Sequence, residues 1–250
     1  MSFVQLLKEN GIATAMLDRG KVNALNEAFV EEIHRCFGDL EKDGNVNSII
    51  FTGQGKFFSF GFDVPEFLDY PKKNFLRYLD KFTSLYSYLF LFPKPIIAAL
   101  NGHTIAGGCM LATACDYRIM VSEKAKISLN EITFGSPVLA GSVDMLKYCV
   151  GQRTAESILY SGSMYSAEEA MKLGLVDQIS TEDNLAEDAR SIAREFASKD
   201  SSAFRSIKSL LRKPVAESMK RREKQCIMQF ADIWYSENTW NKLKEIKIHQ

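Results

Sequence analysis

The sequence predicts an α/β core followed by an α-helical C-terminal part. Strand–strand–helix patterning recurs through the first half of the chain, strand signals fade after residue 136, and the segment from Glu182 onward is charged, poor in proline and helical in pattern.

The elements follow in order. Val4–Lys8 and Ile12–Leu17 are short apolar runs flanking Asn10-Gly11, the dipeptide that best supports a tight hairpin turn. From Asn26 to Glu41, Phe29, Val30, Ile33, Phe37 and Leu40 recur at helical spacing, and Ser48–Thr52 reads as a buried strand ending at Gly53. A second round begins with aromatic and leucine residues at helical spacing from Asn74 to Phe92, stopped by Pro93 and Pro95. Ile96–Leu100 is a strand, Asn101-Gly102 a turn, and Ala106–Ala114 is small and apolar enough for a buried helix. Cys115–Val121 and Lys126–Leu129 look like further strands. Ser166 and Glu169 form a capping box that opens a helix ending at Leu173-Gly174. No linker or low-complexity segment divides the 250 residues.

Composition narrows the function classes. Lys plus Arg and Asp plus Glu are both 31, so the chain carries no net charge with which to attract nucleic acid or an anionic membrane. The five cysteines are scattered without a CxxC pair, the pattern of buried thiols in a reducing compartment. His34, His103 and His249 are never spaced as metal ligands, so no metal is expected. The longest apolar stretch, Leu89–Leu100, is broken by Pro93, Lys94 and Pro95, and no signal or transit peptide is evident. The expectation is a cytoplasmic protein that neither crosses nor binds a membrane.

Three segments carry candidate chemistry: Lys56–Val64 (KFFSFGFDV), Asn101–Cys109 (NGHTIAGGC), and Ile127–Ile132 (ISLNEI), read as a strand bearing one acid, Glu131. Ala106, Gly107 and Gly108 open a helix, where the first N–H groups lack intrahelical acceptors and sit at the positive end of the dipole. Glycines there admit a ligand oxygen, or merely permit close helix–sheet packing; the residues alone leave both readings open. Gly61 has the same double meaning: it can aim the Phe62 N–H at a ligand, or belong to an aromatic loop over the core. Neither loop is a dinucleotide or P-loop fingerprint.

Taken together, and in this order, the segments resemble the crotonase (enoyl-CoA hydratase/isomerase) superfamily. The resemblance runs from Val22-Asn23-Ala24-Leu25 to Gly174-Leu175-Val176-Asp177 and is densest over Pro95–Arg118. It implies a repeated ββα spiral core over residues 1–190, binding and processing the thioester, and an α-helical oligomerisation region over residues 191–250. It implies an oxyanion hole from the N–H groups of Phe62 and Gly107 that polarises an acyl-CoA carbonyl. Hydratases of the family carry two glutamates. The first position here is Met110, which can neither hold nor activate water; the second is Glu131. One glutamate is similar to the pattern of Δ3,Δ2-enoyl-CoA isomerases, in which a single acid removes a proton from C2 and returns it at C4. That chemistry needs Glu131 shielded from water, and Leu129, Ile132 and Phe134 are expected to shield it.

The resemblance also places the coenzyme A part of the substrate along Phe60, Gly61, Asp63 and Val64 and near Val22 and Ala24, with Asn130 orienting substrate or Glu131. No other cofactor is implied. Lys21 is a candidate phosphate contact. Asp63 also reads as loop-fixing, Asp116 and Arg118 as a structural pair, Asp144 as a helix-surface acid or an acid reaching the acyl pocket, and His103 as a turn histidine. The stripe Phe75, Tyr78, Leu79, Phe82 and Tyr86 is core or acyl-tunnel wall. Phe204, Ile207, Leu211, Met228, Phe230 and Trp234 supply apolar area for a homotrimer or hexamer, or for the monomer core. Dehydration, hydration or decarboxylation of an acyl thioester on CoA or a carrier protein stands as the alternative, and an RNA-binding relative as a third class.

Overall fold

The computed structural model describes residues 2–122 and 124–248; His249 lies outside them. β1 (Val4–Glu9) and β2 (Ile12–Leu17) form the expected antiparallel hairpin, with Glu9 opposite Ile12. Asn10 and Gly11 both take left-handed backbone (φ 50° and 78°), as a two-residue type I′ turn requires. β3 (Ala24–Leu25) leads into α1 (Glu27–Lys42), whose N-terminus is capped by the Asn26 side chain accepting from Phe29 N–H. Its apolar face, Phe29, Val30, Ile33, Phe37 and Leu40, is buried as the spacing predicts.

The chain then repeats one theme. β4 (Ser48–Gly53) is followed by β5 (Phe57–Ser59), β6 (Gly61–Phe62), α2 (Val64–Leu68) and α3 (Lys72–Leu91). β7 (Ile96–Leu100), β8 (His103–Ile105) and α4 (Gly107–Ala114) make the next round. β9 (Tyr117–Val121) and β10 (Ile127–Ser128) end in a 3-10 helix, Glu131–Phe134, with α5 (Ala140–Val150), α6 (Gln152–Ser161) and α7 (Ala167–Lys172) after it. β11 (Gln178–Ser180), α8 (Leu185–Ala197), α9 (Ser201–Trp234) and α10 (Glu237–Leu243) complete the described chain. The architecture is the α/β, crotonase-like one that the sequence implies, a repeated ββα core with helices at its C-terminal end.

In each round the first strand joins a six-stranded sheet of order β1-β2-β4-β7-β9-β11, parallel apart from the hairpin. The short second strands form two smaller parallel sheets, β10-β8-β5 and β3-β6. Because these short strands run the same way, their carboxyl ends deliver the segments that follow them to one place, the usual location of a ligand site in open α/β sheets.

Two expectations are corrected here. Glu131 is not on a strand: β10 stops at Ser128, since its partner β8 ends at Ile105 where α4 begins. Glu131 instead starts the 3-10 helix, which closes on Gly135 at φ 79°. Asp116 and Arg118 are structural, but not a pair with each other. Asp116 receives Lys208 (2.7 Å) and Arg212 (3.1 Å) from α9, while Arg118 pairs with Asp177 (2.7 Å). Asp116 thereby clamps α9 to the edge of β7, where it also accepts the Ile96 N–H at 2.8 Å. The capping box at Ser166 and Glu169 is present. Among the described residues no helix is long and apolar enough to cross a membrane, and no cluster of His, Cys, Asp and Glu fit for a metal ion exists.

Candidate active site

Gly61 sets the geometry. Its φ of 96° is a conformation that favours glycine, and a Cβ there would lie 2.9 Å from the Ile105 carbonyl oxygen and 3.0 Å from the Gly107 nitrogen. The β6 backbone therefore lies directly against the N-terminus of α4. Asp63 N–H donates to the Leu25 carbonyl (3.0 Å) across the β3–β6 pair. In a parallel ladder alternate residues face the partner strand, so the Phe62 N–H points the other way, to an edge without a neighbouring strand among the described residues. Gly107 is the first residue of α4, and its N–H has no acceptor in the preceding turn. Two backbone donors are thus brought together.

The two glycines have different surroundings. A Cβ on Gly108 would sit 2.5 Å from the Ser59 carbonyl oxygen, so Gly108 permits helix–sheet contact. Gly107 faces the Phe62 ring and lines a cavity of about 180 Å³. Ala106, just before it, is held at φ 49° and ψ −117°, a strained backbone for a residue with a Cβ.

Phe62, Gly107, Met110, Asn130 and Glu131 all line this cavity. Glu131 is 4% exposed, and neither of its carboxylate oxygens has a hydrogen-bond partner among the described residues. Burial pushes its carboxyl up to about 8, against a small opposing effect of its own backbone N–H. Met110, one turn into α4, presents a thioether on the same wall and is 1% exposed. The Asn130 side-chain amide oxygen, Oδ1, is likewise buried without a partner beside the acid. Among the described residues lining the cavity, Glu131 is the one with an ionisable side chain.

The remaining expectations divide. Phe60 and Val64 line the cavity. Val22 and Ala24 shape it from behind: the Val22 carbonyl accepts from Phe60 N–H (2.9 Å), and Ala24 pairs with Gly61. Asp63 fixes the loop, capping α2 and pairing with Arg19 at 2.7 Å. Lys21 is exposed to solvent. His103 packs on Phe57 at the opposite end of the small sheet (centroids 5.0 Å apart) and does not line the cavity. Asp144 does not line it either; it faces α9 and pairs with Arg222. The α3 stripe is fully buried, and Tyr78 and Phe82 stack their rings edge-on behind Phe62, each 5.0 Å away.

The shielding of Glu131 differs from expectation at one residue. Phe134 lines the cavity and Leu129 is buried, but Ile132 is 50% exposed. A 3-10 helix has three residues per turn, so Glu131 and Phe134 share a side and Ile132 faces away.

Phe230 and Trp234 of α9, with Ile246 beyond α10, close the cavity from the C-terminal region. Their place in the site was not read from sequence. A signal existed: Ile227, Phe230, Ala231 and Trp234 form a buried stripe at helical spacing in an otherwise charged helix, whereas Met228 on another face is half exposed.

The family model described as enoyl-CoA hydratase/isomerase matches residues 7–242. A probable enoyl-CoA hydratase of Bacillus subtilis (strain 168) is 35% identical over 214 residues, covering 84% of this chain and 82% of the relative. The mitochondrial enoyl-CoA delta isomerase 1 of Rattus norvegicus is 31% identical over 227 residues, covering 90% and 78% respectively. In three dimensions the chain is similar to the crystal structure of human mitochondrial delta3-delta2-enoyl-CoA isomerase. The TM-score is 0.92 and the identity 26%, over 97% of this chain and 95% of that one.

Proposed function

The chain belongs to the enoyl-CoA hydratase/isomerase family and is an enzyme of that family acting on acyl-CoA thioesters, and from this premise we propose that it moves a 3-enoyl-CoA double bond to the 2-trans position. The observation that carries the reading is that, among the described residues, the cavity wall holds a single ionisable side chain, Glu131, with Met110 where a second acid would be needed to activate water.

Ionised Glu131 takes a proton from C2, and the electron pair moves onto the thioester oxygen. Charge developing on that oxygen is met by the Phe62 and Gly107 N–H groups, and one such donor is worth about 3–4 kcal/mol in comparable acyl-transfer sites. The protonated acid then delivers the same proton to C4, so the double bond shifts with no net gain or loss of atoms. A carboxyl raised to about 8 suits both halves, because it is a stronger base than an ordinary glutamate and is still able to release its proton near neutrality. The apolar wall of Phe134, Phe230 and Trp234 keeps the proton from exchanging with water before it is returned. Asn130 is left to orient the thioester or the acid, and Phe60 and Val64 to flank the pantetheine arm.

The B. subtilis relative is named a probable hydratase, so product identity is the deciding experiment. Purified protein is given 3-enoyl-CoA and 2-enoyl-CoA in D₂O, with Glu131→Gln alongside. The expected result is 2-enoyl-CoA from the first substrate with the abstracted hydrogen carried to C4 and little deuterium taken up, no isomerisation by Glu131→Gln, and no 3-hydroxyacyl-CoA from the second. Hydration at a rate equal to isomerisation, or isomerisation that survives in Glu131→Gln, would overturn the assignment.

The exposed Ile207, Leu210 and Leu211 on α9 support a homo-oligomer, trimer or hexamer, built through residues 191–250, which sedimentation would read directly.

A further inference from the structure

The reaction cavity is small. A cavity of about 150 Å³ holds one benzene-sized group, so about 180 Å³ is filled by the thioester and the few carbons next to it. A second cavity, about 430 Å³, lies between the 3-10 helix, α5 and α6. Ser136 borders both. Resting on the acyl-thioester reading, we infer that a long acyl chain leaves the reaction cavity at Ser136 and lays its distal methylenes in this second groove.

Three features support that occupant. The groove floor is aliphatic, formed by Ile132, Pro137, Val138, Val143 and Leu159, while charge is confined to Lys147 and Glu156. An apolar floor that shares Ser136 with the lining of the reaction cavity fits a hydrocarbon chain. Next, Ser136 belongs to both linings: it is 5% exposed, and its hydroxyl is held back on the neighbouring Pro137 carbonyl (3.2 Å). Last, the junction is tied to the acid. Ser136 N–H donates to the Glu131 carbonyl (3.0 Å), and Thr239 of α10 donates to the Gly135 carbonyl (2.8 Å). The Ser136 backbone is therefore held to the turn that carries Glu131. The outward-facing Ile132, unexplained by shielding of the acid, becomes the floor of the chain's path.

The test fills or charges the groove without touching the reaction cavity. Val143→Trp occludes it and Leu159→Lys places a cation in it; neither residue lines the first cavity. Turnover is measured on 3-hexenoyl-CoA and 3-dodecenoyl-CoA, and binding on the unreactive hexanoyl-CoA and dodecanoyl-CoA. Each methylene moved from water into the groove strengthens binding about fourfold, so wild type should hold dodecanoyl-CoA at least tenfold more tightly than hexanoyl-CoA. Both variants should keep kcat/KM on the six-carbon substrate within twofold and lose at least tenfold on the twelve-carbon one. A wild type indifferent to chain length, or a preference that survives both variants, would overturn the inference. So would an equal loss on both substrates with a changed oligomeric state, which would make the groove a contact between copies. If wild type isomerises neither substrate, the proposed reaction fails, and the binding arm still decides the groove.

Discussion

Replacing Glu131 by glutamine should make the protein more stable at neutral pH while disabling it. An ordinary glutamate titrates at 4.5, and burial raises Glu131 to about 8. Between those values the folded chain keeps a proton that the unfolded chain has released. Stability is therefore fully present below 4.5, declines as pH rises, and has lost all that this group can remove once pH exceeds about 8. At about 1.4 kcal/mol for each pKa unit, the span from pH 5 to pH 8 should take about 3 kcal/mol from wild type. Glu131→Gln carries no titrating group and escapes that loss. Urea unfolding at pH 5, 6, 7 and 8 and fixed protein concentration reads the difference. The two proteins should be nearly equal at pH 5 and diverge steadily in favour of the variant. Curves that stay parallel within about 0.5 kcal/mol across the range, beyond the scatter of the linear extrapolation, would show that Glu131 is ionised or solvated in the fold. The same carboxyl fixes the activity profile. Since proton removal needs the ionised form, kcat/KM for 3-enoyl-CoA should rise about tenfold per pH unit and level off above about 8.

Other expectations are read by separate measurements. Met110→Glu supplies the missing second acid, so 2-enoyl-CoA in H₂¹⁸O should give measurable 3-hydroxyacyl-CoA where wild type gives none; the buried polar carboxyl, kept protonated, should lower stability by about 1–3 kcal/mol. Gly61→Ala forces a Cβ against the Ile105 carbonyl and the Gly107 nitrogen at a φ that disfavours it, and should cut kcat by about 10²-fold or more by spreading the two N–H donors. Gly107→Ala meets only the Phe62 ring and the Leu25 side chain at 3.1–3.3 Å and should cost less; the reverse order in a kinetic comparison would contradict the geometry. Asp116→Ala leaves Lys208 and Arg212 buried without their carboxylate and should lower the unfolding free energy by about 3–5 kcal/mol, read by denaturant titration.

Much of this protein was determined by the sequence alone. Asn10-Gly11 enforces the first hairpin because two adjacent residues must take left-handed backbone, and the 3.6-residue spacing of Phe29, Val30, Ile33, Phe37 and Leu40 makes the first helix bury that face. The order of the two glycine loops and Glu131 pointed to the family and to the residues that meet in the cavity. These signals are local: each is set by the conformational preference of a few neighbouring residues. Tertiary structure decided what depends on partners far along the chain. The Ile127–Ile132 run reads as a strand, yet β8 runs out at Ile105, so Glu131 falls in a 3-10 helix and Ile132 faces outward. Asp116 and Arg118 are two residues apart but find separate partners, on α9 and at Asp177. Phe230 and Trp234 close the cavity from nearly a hundred residues beyond Glu131 because α9 packs back over α3. The raised proton affinity of Glu131 belongs to this second class as well, since it comes from water excluded by side chains that only the folded chain assembles around it.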